Sequence, residues 1–131
     1  MYGISGAPIP SGLLYADVIG ERCALANFWP CVAYAIACNE TILGQYGGKW
    51  NAATVVSGDG GHGLFQLTSS YPDTWADPAA NTDYAIEHFL EPALDEWRTS
   101  APDVLGDDLV RAIAATFNAG FGGAWKGHED V

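Results

Sequence analysis

The sequence predicts a mainly α-helical domain. Three observations predict it: four stretches read as helices, Gly, Asn and Pro punctuate the gaps between them, and the composition is that of a globular chain. Apolar residues make up 49% and charged residues 16%, which excludes intrinsic disorder. A length of 131 residues suits one compact domain over residues 1–131 and is too short for two.

Met1 to Ser11 carries Gly, Ser and two prolines and reads as an irregular lead-in. A first helix from Ser11 places Tyr15, Val18, Ile19, Cys23 and Ala26 on one side and Asp17, Glu21 and Arg22 on the other, ending near Asn27. Asn27 then caps a second helix, with Pro30 in its first turn, running to Leu43 and stopped by Gly44. This second helix is apolar nearly all round, so it is expected at the centre of the core. Ala53 to Val56 and Leu64 to Thr68 suggest a small hairpin around Ser57-Gly-Asp-Gly-Gly. Tyr71 to Asn81 reads as a loop. Next come Ile86, Phe89, Leu90, Ala93, Leu94 and Trp97 at i, i+3, i+4 spacing, with Glu87, His88, Glu91, Asp95 and Glu96 facing away. Pro92 removes a backbone donor, so a kink is expected one turn back, near His88. A last helix starts at Asp107 or Asp108, passes through Leu109, Val110, Ile113, Ala114 and Phe117, and closes at Gly120.

Five Lys and Arg against sixteen Asp and Glu give a net charge of −11. No basic stripe exists to neutralise phosphates, which argues against a nucleic-acid partner and against tight docking on any anionic surface. The longest apolar run, Phe28 to Cys38, is well short of the roughly 20 residues of a bilayer span, and no basic-then-apolar leader opens the chain. Neither membrane anchor nor export signal is expected. Cys23, Cys31 and Cys38 are odd in number, so they read as buried thiols rather than a disulfide framework, with a Cys23 bridge as the alternative.

Three segments carry chemistry. Glu40 lies in the last turn of the apolar second helix, where partial burial and the negative end of the helix dipole both disfavour ionisation. A carboxyl still protonated near neutrality is what a general acid needs to protonate a glycosidic oxygen. The plainer alternative is a glutamate pointing into solvent or capping a loop. Around Gly58-Asp-Gly-Gly-His-Gly-Leu-Phe-Gln-Leu-Thr, clustered glycines allow close backbone approach, while Phe65 and Gln66 offer a flat face and a two-way amide, both suited to sugars. Asp59 and His62 lack a third ligand at sensible spacing, so no metal is expected. Asn118 falls at a helix end, where it reaches a ligand or simply caps. Phe65, Tyr46, Trp50, Tyr71 and Trp75 are aromatic candidates for a glycan cleft, of which one or two are expected to touch sugar.

Taken in order, these segments resemble the goose-type lysozyme and soluble lytic transglycosylase superfamily. Ile36-Ala-Cys-Asn-Glu40-Thr41 is similar to the family's catalytic Glu followed by Ser. Gly63-Leu64-Phe65-Gln66 is similar to its Gly-Leu-Met-Gln segment, and Ala114 to Gly120 to its Ala-Tyr-Asn-Ala-Gly segment. Pro78 to Leu90 resembles a family helix that opens with Pro and then Asn. The resemblance covers roughly residues 12 to 125 and implies a lysozyme-like fold. It also implies cleavage of the β-1,4 bond between N-acetylmuramic acid and N-acetylglucosamine in peptidoglycan. Glu40 would be the acid, Thr41, Leu64, Phe65, Gln66, Phe117 and Asn118 would meet the glycan strand, and no cofactor or metal is implied.

The departures from the family pattern carry consequences. Thr41 for Ser keeps a hydroxyl and Phe65 for Met keeps an apolar contact. Phe117 for Tyr removes a phenol that bonds the catalytic carboxyl in relatives, leaving burial to set the Glu40 pKa. An inverting hydrolase needs a second carboxylate about 6.5 to 9.5 Å from the first, and Asp59 resembles one of the two acidic residues that goose-type enzymes carry. The other position is Thr68. Hydrolysis with Asp59 as base is therefore favoured over a lytic transglycosylase giving a 1,6-anhydro product; for Asp59 the alternative is a turn residue bonding its own backbone. A non-catalytic glycan-binding module on the same scaffold is a competing reading, and a calcium-stabilised interaction domain a remote one. Relatives continue into a further helix after the third motif. A domain cut from a longer chain, whose wall-binding or tail module supplies attachment, is therefore expected, and the missing export signal favours a phage-encoded muralytic enzyme over a bacterial one. It would act on the bacterial wall, virion-associated or in the host cytoplasm before lysis.

Overall fold

The computed structural model describes residues 15–41 and 56–129. Among them the protein is mainly helical, with no strand. The helices are α1 (Ala16–Ala26), α2 (Pro30–Thr41), α3 (Pro78–Ala85), α4 (Glu91–Ser100) and α5 (Gly106–Glu129), with a π-helical turn, Ile86–Leu90, between α3 and α4. The chain forms two compact units, Met1–Ala85 and Ile86–Val131. None of the described helices is long and apolar enough to cross a membrane.

In the first unit α1 packs on both α2 and α3. Asn27 caps α1, not α2 as its position suggested: it is left-handed (φ 53°), its N–H bonds the Ala24 carbonyl at 3.2 Å, and the Phe28 N–H bonds the Cys23 carbonyl at 2.9 Å. This paired closure satisfies the last carbonyls of α1 and turns Phe28 into the core. The second helix therefore starts at Pro30, whose missing N–H costs nothing in a first turn. It is not buried all round. Val32, Ala33, Ile36, Ala37 and Thr41 are inside, whereas Cys31, Ala35 and Asn39 are exposed. Leu43 and Gly44, its expected end and stop, lie outside the described residues.

Arg22, expected on the outer face of α1, instead reaches α3, where Nε and Nη2 donate to the two carboxylate oxygens of Asp83, each at 2.7 Å. This fork geometry is the stronger form of ion pair. Ile19, Cys23, Phe28, Val32, Ile36, Leu64, Phe65 and Leu67 form the core of the unit. Of the three cysteines, all free, Cys23 is buried and its thiol pushed up to about 11 by burial, whereas Cys31 is exposed, contrary to expectation.

The expected hairpin reduces to two isolated antiparallel bridges, Val56 with His62 and His62 with Leu67. Left-handed backbone at Gly60, Gly63 and Gln66 curls the chain too tightly for Leu64 to Thr68 to extend. Ala53 to Val55 lie outside the described residues. The loop after Tyr71 ends earlier than expected, because Asp77 caps α3 (Ala80 N–H to Oδ2, 3.3 Å) and Pro78 opens it. Asn81 is therefore helical and buried.

In the second unit Ile86, Leu90, Ala93, Leu94 and Trp97 are buried on one side, as their spacing predicts, with Leu109 and Ile113 from α5. The irregularity expected one turn before Pro92 is the π-helical turn, which contains His88. The Trp97 indole N–H donates to Thr116 Oγ1 at 2.7 Å, and its ring meets those of Phe121, Trp125 and His128. Gly120 (φ 77°, ψ 165°) breaks α5 as predicted for a stop, but the chain resumes helix over 121–129.

Candidate functional site

Glu40, Thr41, Asp59, Leu64, Phe65 and Gln66 belong to the first unit, Phe117 and Asn118 to the second.

Glu40 is half-buried on α2, one residue before Thr41, the last described residue of that helix. Burial, and after it the negative charge of Asp59, push its carboxyl above the ordinary carboxylate range. Asp59 is exposed and behaves in the opposite way. Its Oδ1 accepts from the Ser57 hydroxyl and from the Gly61 N–H at 3.2 Å, and these two bonds hold its pKa below the usual value. The turn-forming alternative for Asp59 is thus realised, alongside its electrostatic action on Glu40.

The 63–66 turn beside this pair is closed by reciprocal bonds between His62 and Leu67, at 2.9 and 3.1 Å. Its side chains depart from the expected sugar-facing arrangement. Leu64 and Phe65 are both 0% exposed and belong to the core, because the turn rolls its apolar middle inward. Thr41 is likewise 0% exposed; its hydroxyl donates to the Leu64 carbonyl at 2.9 Å, with the Ala37 carbonyl at 3.2 Å. In this structure these three residues are scaffold, not ligand contacts. Gln66 remains half-buried, left-handed at φ 50°, with Nε2 donating to the Gly63 carbonyl at 2.9 Å. A non-glycine held there marks backbone kept in a costly conformation by its surroundings.

Of the aromatic candidates in this unit, Tyr71 and Trp75 gather around His62: Tyr71 stacks on the imidazole at 3.8 Å between centroids and Trp75 meets it edge-on at 5.0 Å. Tyr71 is 43% exposed, so it can offer ring surface to a ligand, whereas Phe65 cannot. Tyr46 and Trp50 lie outside the described residues. His62 Nδ1 also lies 3.1 Å from the Leu67 carbonyl. No group of three or more His, Cys, Asp or Glu among the described residues is arranged to hold a metal ion.

Sequence reasoning missed Asn81, the residue that organises this region. Its Oδ1 accepts from the Phe65 N–H at 2.9 Å, and its Nδ2 donates to the His62 and Trp75 carbonyls at 3.1 and 2.9 Å. The spacing alone does not find it: stepping back from Ile86 by three, four or seven residues reaches Asp83, Thr82 and Ala79, not Asn81.

In the second unit Asn118 is exposed and lines a cleft of about 680 Å³ with Trp97, Asp108, Arg111 and Ala115. Phe117 is half-buried, edge-on to Phe89 at 5.8 Å, in a smaller hollow of about 340 Å³ with Thr116 and Gly120. The two neighbours in sequence thus serve different faces of α5. Comparison of the chain with protein-family models, with curated proteins and with solved structures found no match.

Proposed function

We propose that the protein is a lysozyme-like peptidoglycan glycosidase that cleaves the β-1,4 bond between N-acetylmuramic acid and N-acetylglucosamine, with Glu40 as general acid. The observation that carries this reading is the opposed behaviour of two carboxyls in one unit. Burial and the Asp59 charge favour the protonated form of Glu40, while hydrogen bonds favour the ionised form of Asp59. Environments that push two carboxyl pKa values apart are how one site supplies both an acid and a base. Glu40 would donate its proton to the glycosidic oxygen as the bond to the anomeric carbon breaks. Asp59 would take a proton from water attacking the opposite face of the sugar, with inversion. Gln66, and the exposed ring of Tyr71, are the described groups of this unit suited to hold the strand.

A second reading rests on the bonds that Asp59 makes. An Asp tied into its own turn through Ser57 and Gly61 suits a structural carboxylate, and a lytic transglycosylase needs no base of this kind because the muramyl 6-hydroxyl attacks instead. A net charge of −11 disfavours docking on an anionic wall, so a wall-binding or tail module supplying attachment, and phage origin, belong to the same proposal.

Digestion of purified walls tests it. Glu40→Gln is expected to keep the helical circular dichroism and to lose clearing; a variant that still clears removes Glu40 from the mechanism. Mass spectrometry of the products separates the two chemistries. Free reducing ends, with Asp59→Asn slower by about 100-fold or more, support hydrolysis, whereas 1,6-anhydro ends with Asp59→Asn unimpaired support transfer. Binding of wall fragments without either product would leave a non-catalytic glycan-binding module.

A further inference from the structure

The peptide unit joining Leu64 to Phe65 is gripped at both ends by buried side chains. Its carbonyl accepts from Thr41 Oγ1 and its N–H donates to Asn81 Oδ1, both at 2.9 Å. Thr41 and Asn81 are each 0% exposed, as are Leu64 and Phe65, so water cannot substitute for either bond. Asn81 in turn spends both amide protons on the carbonyls of His62 and Trp75. A polar thread therefore runs through an apolar core, from the loop bearing Trp75, through the helical Asn81 and one peptide plane, to the residue bonded to Glu40. Buried donors and acceptors are costly to leave unmet, so the turn cannot slide against α2 without breaking several bonds together.

We propose that Thr41 and Asn81 are positioning residues that clamp the Leu64–Phe65 peptide and thereby hold Glu40 at the depth its acid role requires, without themselves touching substrate. This rests on the reading of Glu40 as the acid. The described charged group that acts on Glu40 is Asp59; Thr41→Val and Asn81→Ala alter no charge, so any change they cause reports depth or spacing, and a parallel Asp59→Asn series separates those two.

The experiment follows the Glu40 carboxyl by carbon-13 titration in the whole chain, beside the pH profile, kcat and KM for wall digestion. Thr41→Val and Asn81→Ala should move the Glu40 midpoint down toward the ordinary carboxylate value. They should also lower kcat by about 10- to 100-fold with KM little changed, the scale of loss for a displaced catalytic group. Thr41→Ser, which restores the hydroxyl, should recover both. In the unsubstituted protein the Phe65 amide proton should exchange slowly, a measurement that does not depend on any variant folding. Folded variants with an unchanged Glu40 midpoint overturn the proposal, as does a Phe65 amide that exchanges like an open loop. A midpoint that moves in a protein with no wall-cleaving activity would retain the clamp and discard the glycosidase reading.

Discussion

Glu40 and Asp59 sit near each other yet titrate in opposite directions, and the sign of each fixes how stability depends on pH. Folding raises the Glu40 pKa, so its contribution is complete below the carboxylate range of the unfolded chain and is lost as pH rises through the folded value. Folding lowers the Asp59 pKa, so its contribution is present above the unfolded value and is lost as pH falls through the folded one. Glutamine in place of Glu40 carries no charge to bury and none to repel Asp59. Thermal melts should therefore show Glu40→Gln more stable than the parent at about pH 7, with the advantage vanishing near pH 4, where the glutamate itself is largely protonated. A variant equally or less stable at neutral pH would mean that Glu40 is not held in a desolvated setting.

At the scale of elements, the first two helices approach where one side chain is missing. A Cβ on Gly20 of α1 would stand 2.5 Å from the Tyr34 hydroxyl of α2 and 3.7 Å from its ring carbon Cζ. Alanine at a helix interior gains about 1 kcal/mol over glycine, while crowding a packed contact costs about 1 to 3 kcal/mol. Gly20→Ala should thus be neutral or destabilising in the parent and stabilising by about 1 kcal/mol in a Tyr34→Phe background, where the obstructing oxygen is gone. Urea denaturation of the four proteins in this cycle measures the coupling. Strict additivity would show that the two helices do not meet at this point.

Across the whole molecule, sixteen acidic residues face five Lys and Arg. Among the described residues Arg22 pairs with Asp83 and Arg111 with Asp108, and five Lys and Arg cannot offset sixteen carboxylates. Self-repulsion should then outweigh the attraction that salt would screen. Raising NaCl from about 10 to 200 mM, which shortens the screening length from about 30 Å to under 10 Å, should raise Tm. A fall would indicate that the pairs dominate. The two units each carry their own buried apolar set, around Phe65 and Ile36 in the first and around Trp97 and Ile113 in the second.

Helical periodicity in the chain was enough to determine the amphipathic stretch through Trp97, the start of the last helix, the disturbance ahead of Pro92 and the break at Gly120, because each depends on neighbours three or four residues away. It also located Glu40 on the second helix with partial burial, since an apolar helix desolvates what it carries. Only the tertiary structure decided which sides of α2 are covered, that Arg22 turns inward to Asp83, and that Thr41, Leu64 and Phe65 lie in the core rather than toward a ligand. It alone made Asn81 the organiser of the loop. These outcomes depend on partners tens of residues distant in the chain: a threonine hydroxyl or an asparagine amide is equally at home in water, and becomes a clamp only where folding brings it, dry, against one particular peptide bond.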